Sequence, residues 1–166
     1  MTLTRNWYAW ETAPEGRIIH GDRSGLACNW WGGYWKEDLG RAVDCGQNAH
    51  RFSVEWSRIQ PTPDRWDEQA LDFYLEMLRW MNSQGVTPMI TLHHFTDPLW
   101  LVERGGWENP ETPALFAAFT RKVVEVLKDY CTYWVTINEP NVYTFGGWLE
   151  GGFPPGKNDM GLAFKV

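Results

Sequence analysis

Asn138 and Glu139 close a short run of apolar and β-branched residues, "YWVTI", and Pro140 stops that run at once. Such a run reads as a strand, so the pair stands at a strand end, where a carboxyl group can be aimed into a shared site. Two other strand-like runs carry polar groups in the same way. "HRFSVEW" brings Arg51 and Glu55, and "TPMITLHHF" brings His93 and His94. An acid beside an amide, an imidazole and a guanidinium suits proton transfer. Each group also has a plain structural reading. Arg51 and Glu55 can pair with each other or with Arg58, one histidine can be a hydrogen-bonded core residue, and Asn138 can cap the next helix.

Other chemistries lose their signals. His93 and His94 are sequential on a strand and face opposite sides, so they cannot chelate one ion. The chain has no H-E-x-x-H, no G-x-x-x-x-G-K phosphate loop and no G-x-S-x-G elbow. No metal or other cofactor is expected. The formal net charge of -6 gives no electrostatic reason for a nucleic acid or an anionic membrane as partner.

The elements that must position these groups alternate in type. Residues 34–46 space Trp35, Leu39, Ala42 and Val43 at helical intervals before Gly46, and residues 48–56 alternate as a strand with His50, Phe52, Val54 and Trp56 on one side. Pro61 and Pro63 mark a loop. Residues 67–84 carry the stripe Leu71, Tyr74, Leu75, Leu78, Met81 and end at Gly85, after which residues 86–95 form a second strand. Thr112 and Pro113 read as N-cap and first turn of a third helix with the stripe Phe116, Phe119, Val123, Leu127, Tyr130. The third strand follows it, and the Gly- and Pro-rich tail after Pro140 reads as loop. Strands joined through helices pair in parallel through right-handed crossovers, which gives an α/β fold with functional groups at the strand ends. No repeat, linker or internal boundary divides residues 1–166.

Twelve tryptophans are the conspicuous feature of composition. Each reads first as a core filler, although indoles also stack on sugar rings. Cys28, Cys45 and Cys131 are few, odd in number and far apart, and read as reduced, buried thiols. The N-terminal residues lack an apolar leader, and no window approaches about 18 apolar residues, so an unexported, cytoplasmic protein is expected.

Taken together, "HRFSVEWSRI", "TLHHFTDPLWL", "RGGW" and "YWVTINEP" resemble glycoside hydrolase family 1, the β-glucosidase and β-galactosidase family, from about Trp30 to about Gly156. The resemblance implies a partial (β/α)8 barrel, about strands two to four with the intervening helices. It implies a retaining β-glycosidase acting on a small-molecule β-glycoside. Glu139 is then the general acid/base, Asn138 holds the sugar 2-hydroxyl and His94 a hydroxyl across the glycone. Arg51 supports the nucleophile. A strand-end acid among tryptophans is expected to be partly desolvated, which favours its protonated form.

The departures from the family are specific. Retaining enzymes use a second carboxylate about 5–5.5 Å from the first, and no I-T-E-N-G-like segment for it occurs in these residues. The family's first strand, with its glycone-binding glutamine, has no counterpart in "MTLTRNWYAWETAPEG", and Phe95 stands where the family usually has Trp. The chain therefore reads as the N-terminal portion of one barrel, inactive alone, with the remainder of the barrel as its partner. Open strand edges and inner faces make poor folding alone the expectation. A non-catalytic remnant or sugar-binding module on the same scaffold is the alternative.

Overall fold

The computed structural model describes residues 5–166, so the part of the N-terminal reading that falls on residues 1–4 lies outside the described residues. The elements in chain order are α1 (Asn6–Glu11), α2 (Trp35–Asp44), β1 (Ala49–Ser53), α3 (Trp56–Ile59), α4 (Glu68–Ser83), β2 (Thr87–His93), α5 (Leu99–Glu103), α6 (Thr112–Leu127), β3 (Tyr133–Ile137), α7 (Pro140–Thr144) and α8 (Met160–Ala163). The three strands form one parallel sheet in the order β1-β2-β3. The expected helices and strands are all present; β3 coincides with the run "YWVTI", while α2, β1, α4 and β2 are each shorter than expected by two to four residues. In the first strand the alternation breaks after Val54, whose N–H still reaches Thr91 O at 3.0 Å, because Trp56 opens α3.

Local chemistry sets the boundaries. The Asp67 side chain accepts from Ala70 N–H and caps α4. Gly85, at φ 72°, takes the left-handed turn that lets the chain leave α4 for β2. Pro88 sits inside β2 at no cost to the ladder, because pairing with β3 begins one residue later, at Met89 with Tyr133.

Helices α4 and α6 cover the sheet. Ile59, Met77, Leu78, Met81, Ile90, Leu101, Phe119, Val123 and Leu127 are fully buried, each such side chain contributing about 1.5–3 kcal/mol by leaving water. The tryptophans serve this core. Trp35, Trp56, Trp100 and Trp148 are buried, the other eight are partly buried, and Trp56 stacks on Phe119 with centroids 4.8 Å apart.

Three expectations are corrected. The tail after Pro140 is helical over about half its length: α7 runs into a π-helical turn at Phe145–Leu149, and α8 follows residues 150–159, which are irregular as expected. Proline is at home in a first helical turn, and Gly146 and Gly147 are there for close approach, to Phe153 and to Pro154 O. Thr112 is not an N-cap by its side chain. Its hydroxyl donates to Gly106 O at 2.5 Å and ties the Gly105–Trp107 loop to α6. Of the cysteines, only Cys131 is buried; Cys28 and Cys45 are free and exposed, the one in a surface turn and the other at the solvent-facing end of α2.

Candidate active site

Parallel pairing brings the ends of β1, β2 and β3 side by side, and the expected residues meet there. Arg51 Nη2 donates to Asn138 Oδ1 at 3.0 Å across the sheet. Asn138 is buried, and its backbone N–H donates to His93 O at 2.9 Å. With Oδ1 occupied, Nδ2 is the group that Asn138 can offer a ligand. Capping is not its role, since its side chain turns to Arg51 and Glu139 occupies the N-cap position of α7.

His94 and His93 turn opposite ways. Ser53 Oγ lies 2.9 Å from His94 Nδ1. Burial first, then the Arg51 charge, pulls the His94 imidazole below its ordinary range, against an opposing pull from Glu139. In the neutral tautomer whose Nδ1 accepts from Ser53, the ring keeps an Nε2–H donor for the site. His93 is buried, with Nε2 3.0 Å from Asp97 Oδ1, and belongs to the core as the plain reading had it.

Glu139 follows Asn138 with a left-handed backbone, φ 39° and ψ 60°. The expected desolvation is not supplied by these residues, because Glu139 is exposed. No wall of the sheet extends beyond β3 among the described residues to cover it.

Two further carboxyl groups near the strand ends are occupied elsewhere. Glu55 accepts from Ser57 Oγ at 2.9 Å and pairs with Arg5 at 3.6 Å. Asp97 is buried among Tyr143, Trp107 and His93. Sequence reasoning passed over Ser53 and this Asp97 cluster. The signal for Ser53 was its place two residues after Arg51, on the same side of the strand. The signal for Asp97 was an acidic residue set directly before Pro98 and the apolar run of residues 99–102. Phe95, which stands where the family usually has Trp, has no side-chain hydrogen bond to offer. Phe95 stacks on Tyr143 at 5.2 Å, and its carbonyl accepts from Asn6 Nδ2 and Trp7 Nε1 at 3.1 and 2.9 Å.

A parallel sheet under helices, with an acid, an amide, an imidazole and a guanidinium gathered at its strand ends, is the arrangement of a segment of a (β/α)8 barrel. The chain belongs to glycosyl hydrolase family 1, whose model matches residues 4–166. It is 35% identical over 161 residues to "Beta-glucosidase A" of Thermotoga maritima, covering 96% of this chain and 36% of that protein. The structure of the family 1 β-glucosidase from Thermotoga maritima in complex with isofagomine lactam superposes with a TM-score of 0.93 at 34% identity, covering 98% of this chain and 37% of that one. A β-glycosidase from Pyrococcus horikoshii superposes with a TM-score of 0.76 at 36% identity, covering 80% of this chain and 32% of that one. The chain thus spans about a third of the length of these relatives.

Proposed function

We propose that these residues carry the acid/base half of the active site of a retaining β-glycosidase that hydrolyses small-molecule β-glycosides without a cofactor. Glu139 protonates the glycosidic oxygen and later activates water. Asn138 holds the sugar 2-hydroxyl through Nδ2, His94 donates through Nε2 to a hydroxyl across the ring, and Arg51 supports the nucleophile while orienting Asn138. The observation that carries this reading is the Arg51–Asn138 hydrogen bond of 3.0 Å, which commits the amide next to Glu139 to one orientation.

Residues 1–166 form one portion of a single barrel with no internal boundary, and the remaining strands are the partner that closes it. The two other carboxyl groups near the strand ends, Glu55 and Asp97, are bound in place and not free to act as nucleophile. The chain alone is therefore inactive. Exposed free thiols at Cys28 and Cys45 support a reducing, cytoplasmic location.

The test is Glu139→Gln in the barrel completed by its first strand and strands five to eight. Loss in kcat/KM should reach on the order of 10²-fold or more for poor leaving groups and be much smaller for activated aryl glycosides. Equal loss across leaving groups would refute the acid/base role. Binding of β-glycosides by the completed barrel without turnover would favour a sugar-binding module.

A further inference from the structure

We propose that Asp97 is a positioning residue for Glu139, acting through Tyr143; the proposal rests on the acid/base reading of Glu139.

A five-residue helix has little stability of its own, yet α7 must hold Glu139 in a left-handed conformation that an L-residue resists. Tyr143 is the link. Its backbone N–H donates to Glu139 O at 3.1 Å, closing the first turn, while its hydroxyl donates to Asp97 Oδ2 at 2.6 Å. One residue thus ties the backbone of the acid to a fixed point in the core.

Asp97 is well suited to be that point. It is 2% exposed, and its Oδ1 accepts from Trp107 Nε1 at 3.1 Å and lies 3.0 Å from His93 Nε2. Its main chain is held as well. Asp97 N–H donates to Asn6 Oδ1 at 3.0 Å, and Asn6 N–H donates to Asp97 O at 2.9 Å. Asp97 therefore joins the end of β2, the loop before α6 and the start of α1 to the helix that begins at Glu139. Tyr143 is 5% exposed, and Phe95 and Trp148 bracket its ring at 5.2 and 5.4 Å. Burial and the neighbouring Asp97 push the Tyr143 phenol well above its usual range, so it stays a donor at any working pH. Asp97 and Tyr143 are both buried, so the pair acts on chemistry only through where it puts Glu139.

Tyr143→Phe removes one oxygen from a buried site and keeps the ring. Asp97→Asn keeps the shape and turns one acceptor into an amide donor facing other donors. In the completed barrel, Tyr143→Phe should lower kcat/KM roughly tenfold or more for glycosides with poor leaving groups, since a small displacement of a catalytic group is costly. It should lower it less than about twofold for activated aryl glycosides, which need no proton. Asp97→Asn should show the same selectivity. A purely structural role lowers both substrate classes alike, and that result, or no loss in either class, overturns the proposal. Glu139→Gln assayed in parallel separates the two readings. Equal loss there overturns the acid/base role, whereas selective loss there with none in Tyr143→Phe overturns only the positioning role. A second readout is independent of activity. In Tyr143→Phe, amide hydrogen exchange at Asn141–Thr144 should quicken about tenfold or more with α4 and α6 unchanged, and unchanged exchange in α7 overturns the clamp even if Asp97→Asn does not fold.

Discussion

Glycine in place of Glu139 should make the chain more stable while removing the acid. At φ 39° and ψ 60° the residue is left-handed, which strains a non-glycine backbone by roughly 1–3 kcal/mol. The side chain is exposed and makes no hydrogen bond among the described residues, so its deletion removes little. Glycine relieves the strain but loses more freedom on folding, at about 0.5–1 kcal/mol. The net expectation is a gain of about 1 kcal/mol, or about 2–4 °C in Tm for a chain of this size. Alanine keeps the strain, so Glu139→Ala should fall within about 0.5 kcal/mol of the parent. Urea unfolding of the three chains gives the comparison. A glycine variant no more stable than the alanine variant would refute the assignment of strain to this residue.

Stability should fall as pH drops through the histidine range. The folded His94 and His50 imidazoles lie below the ordinary value of about 6.5, each because burial disfavours the cation. The unfolded chain then binds more protons in that window, so stability is full above about pH 6.5 and declines toward the lower folded values; His94→Gln should flatten the slope of the urea midpoint between neutral and mildly acidic pH, with His50 leaving part of it. Gly147→Ala places a Cβ 2.9 Å from Pro154 O and 3.3 Å from Pro155 Cδ, and thermal melting should show a loss of about 1–3 kcal/mol. A thiol reagent should titrate Cys28 and Cys45 rapidly and Cys131 only on unfolding, since burial also pushes the Cys131 thiol up; three fast thiols would contradict the packing of Cys131. In the completed barrel, Asn138→Ala should lower kcat more than it raises KM, because hydrogen bonds to the 2-hydroxyl strengthen in the transition state; a raised KM with unchanged kcat would assign it to ground-state binding.

The sheet and its covering helices were legible because strand alternation and helical stripes are local signals: Leu71, Tyr74, Leu78 and Met81 all lie on the buried side of α4. Arg51, His94, Asn138 and Glu139 were legible as strand-end residues, and parallel pairing alone brings them together. What escaped is non-local. Nothing near Asp97 in the chain announces Tyr143, 46 residues away, or the capture of Thr112 by Gly106 in place of a helix cap. The tail after Pro140 misled for a different reason. Glycines that read as loop residues are required there by the contact of Gly147 with Pro154. The exposure of Cys28, in a surface turn, and of Cys45, at the end of α2, is set by tertiary packing, which three isolated cysteines do not encode.

The central claim, that these residues carry one carboxyl group of a two-carboxylate site, is tested most directly by assaying aryl β-glucoside hydrolysis by the purified chain alone and after the first strand and strands five to eight are supplied. No turnover is expected from the chain alone, and turnover that requires Glu139 is expected once the barrel is complete. Hydrolysis by the chain alone that disappears in Glu139→Gln would contradict it, and would mean that Glu55 or Asp97 leaves its hydrogen bonds to act as the second carboxylate.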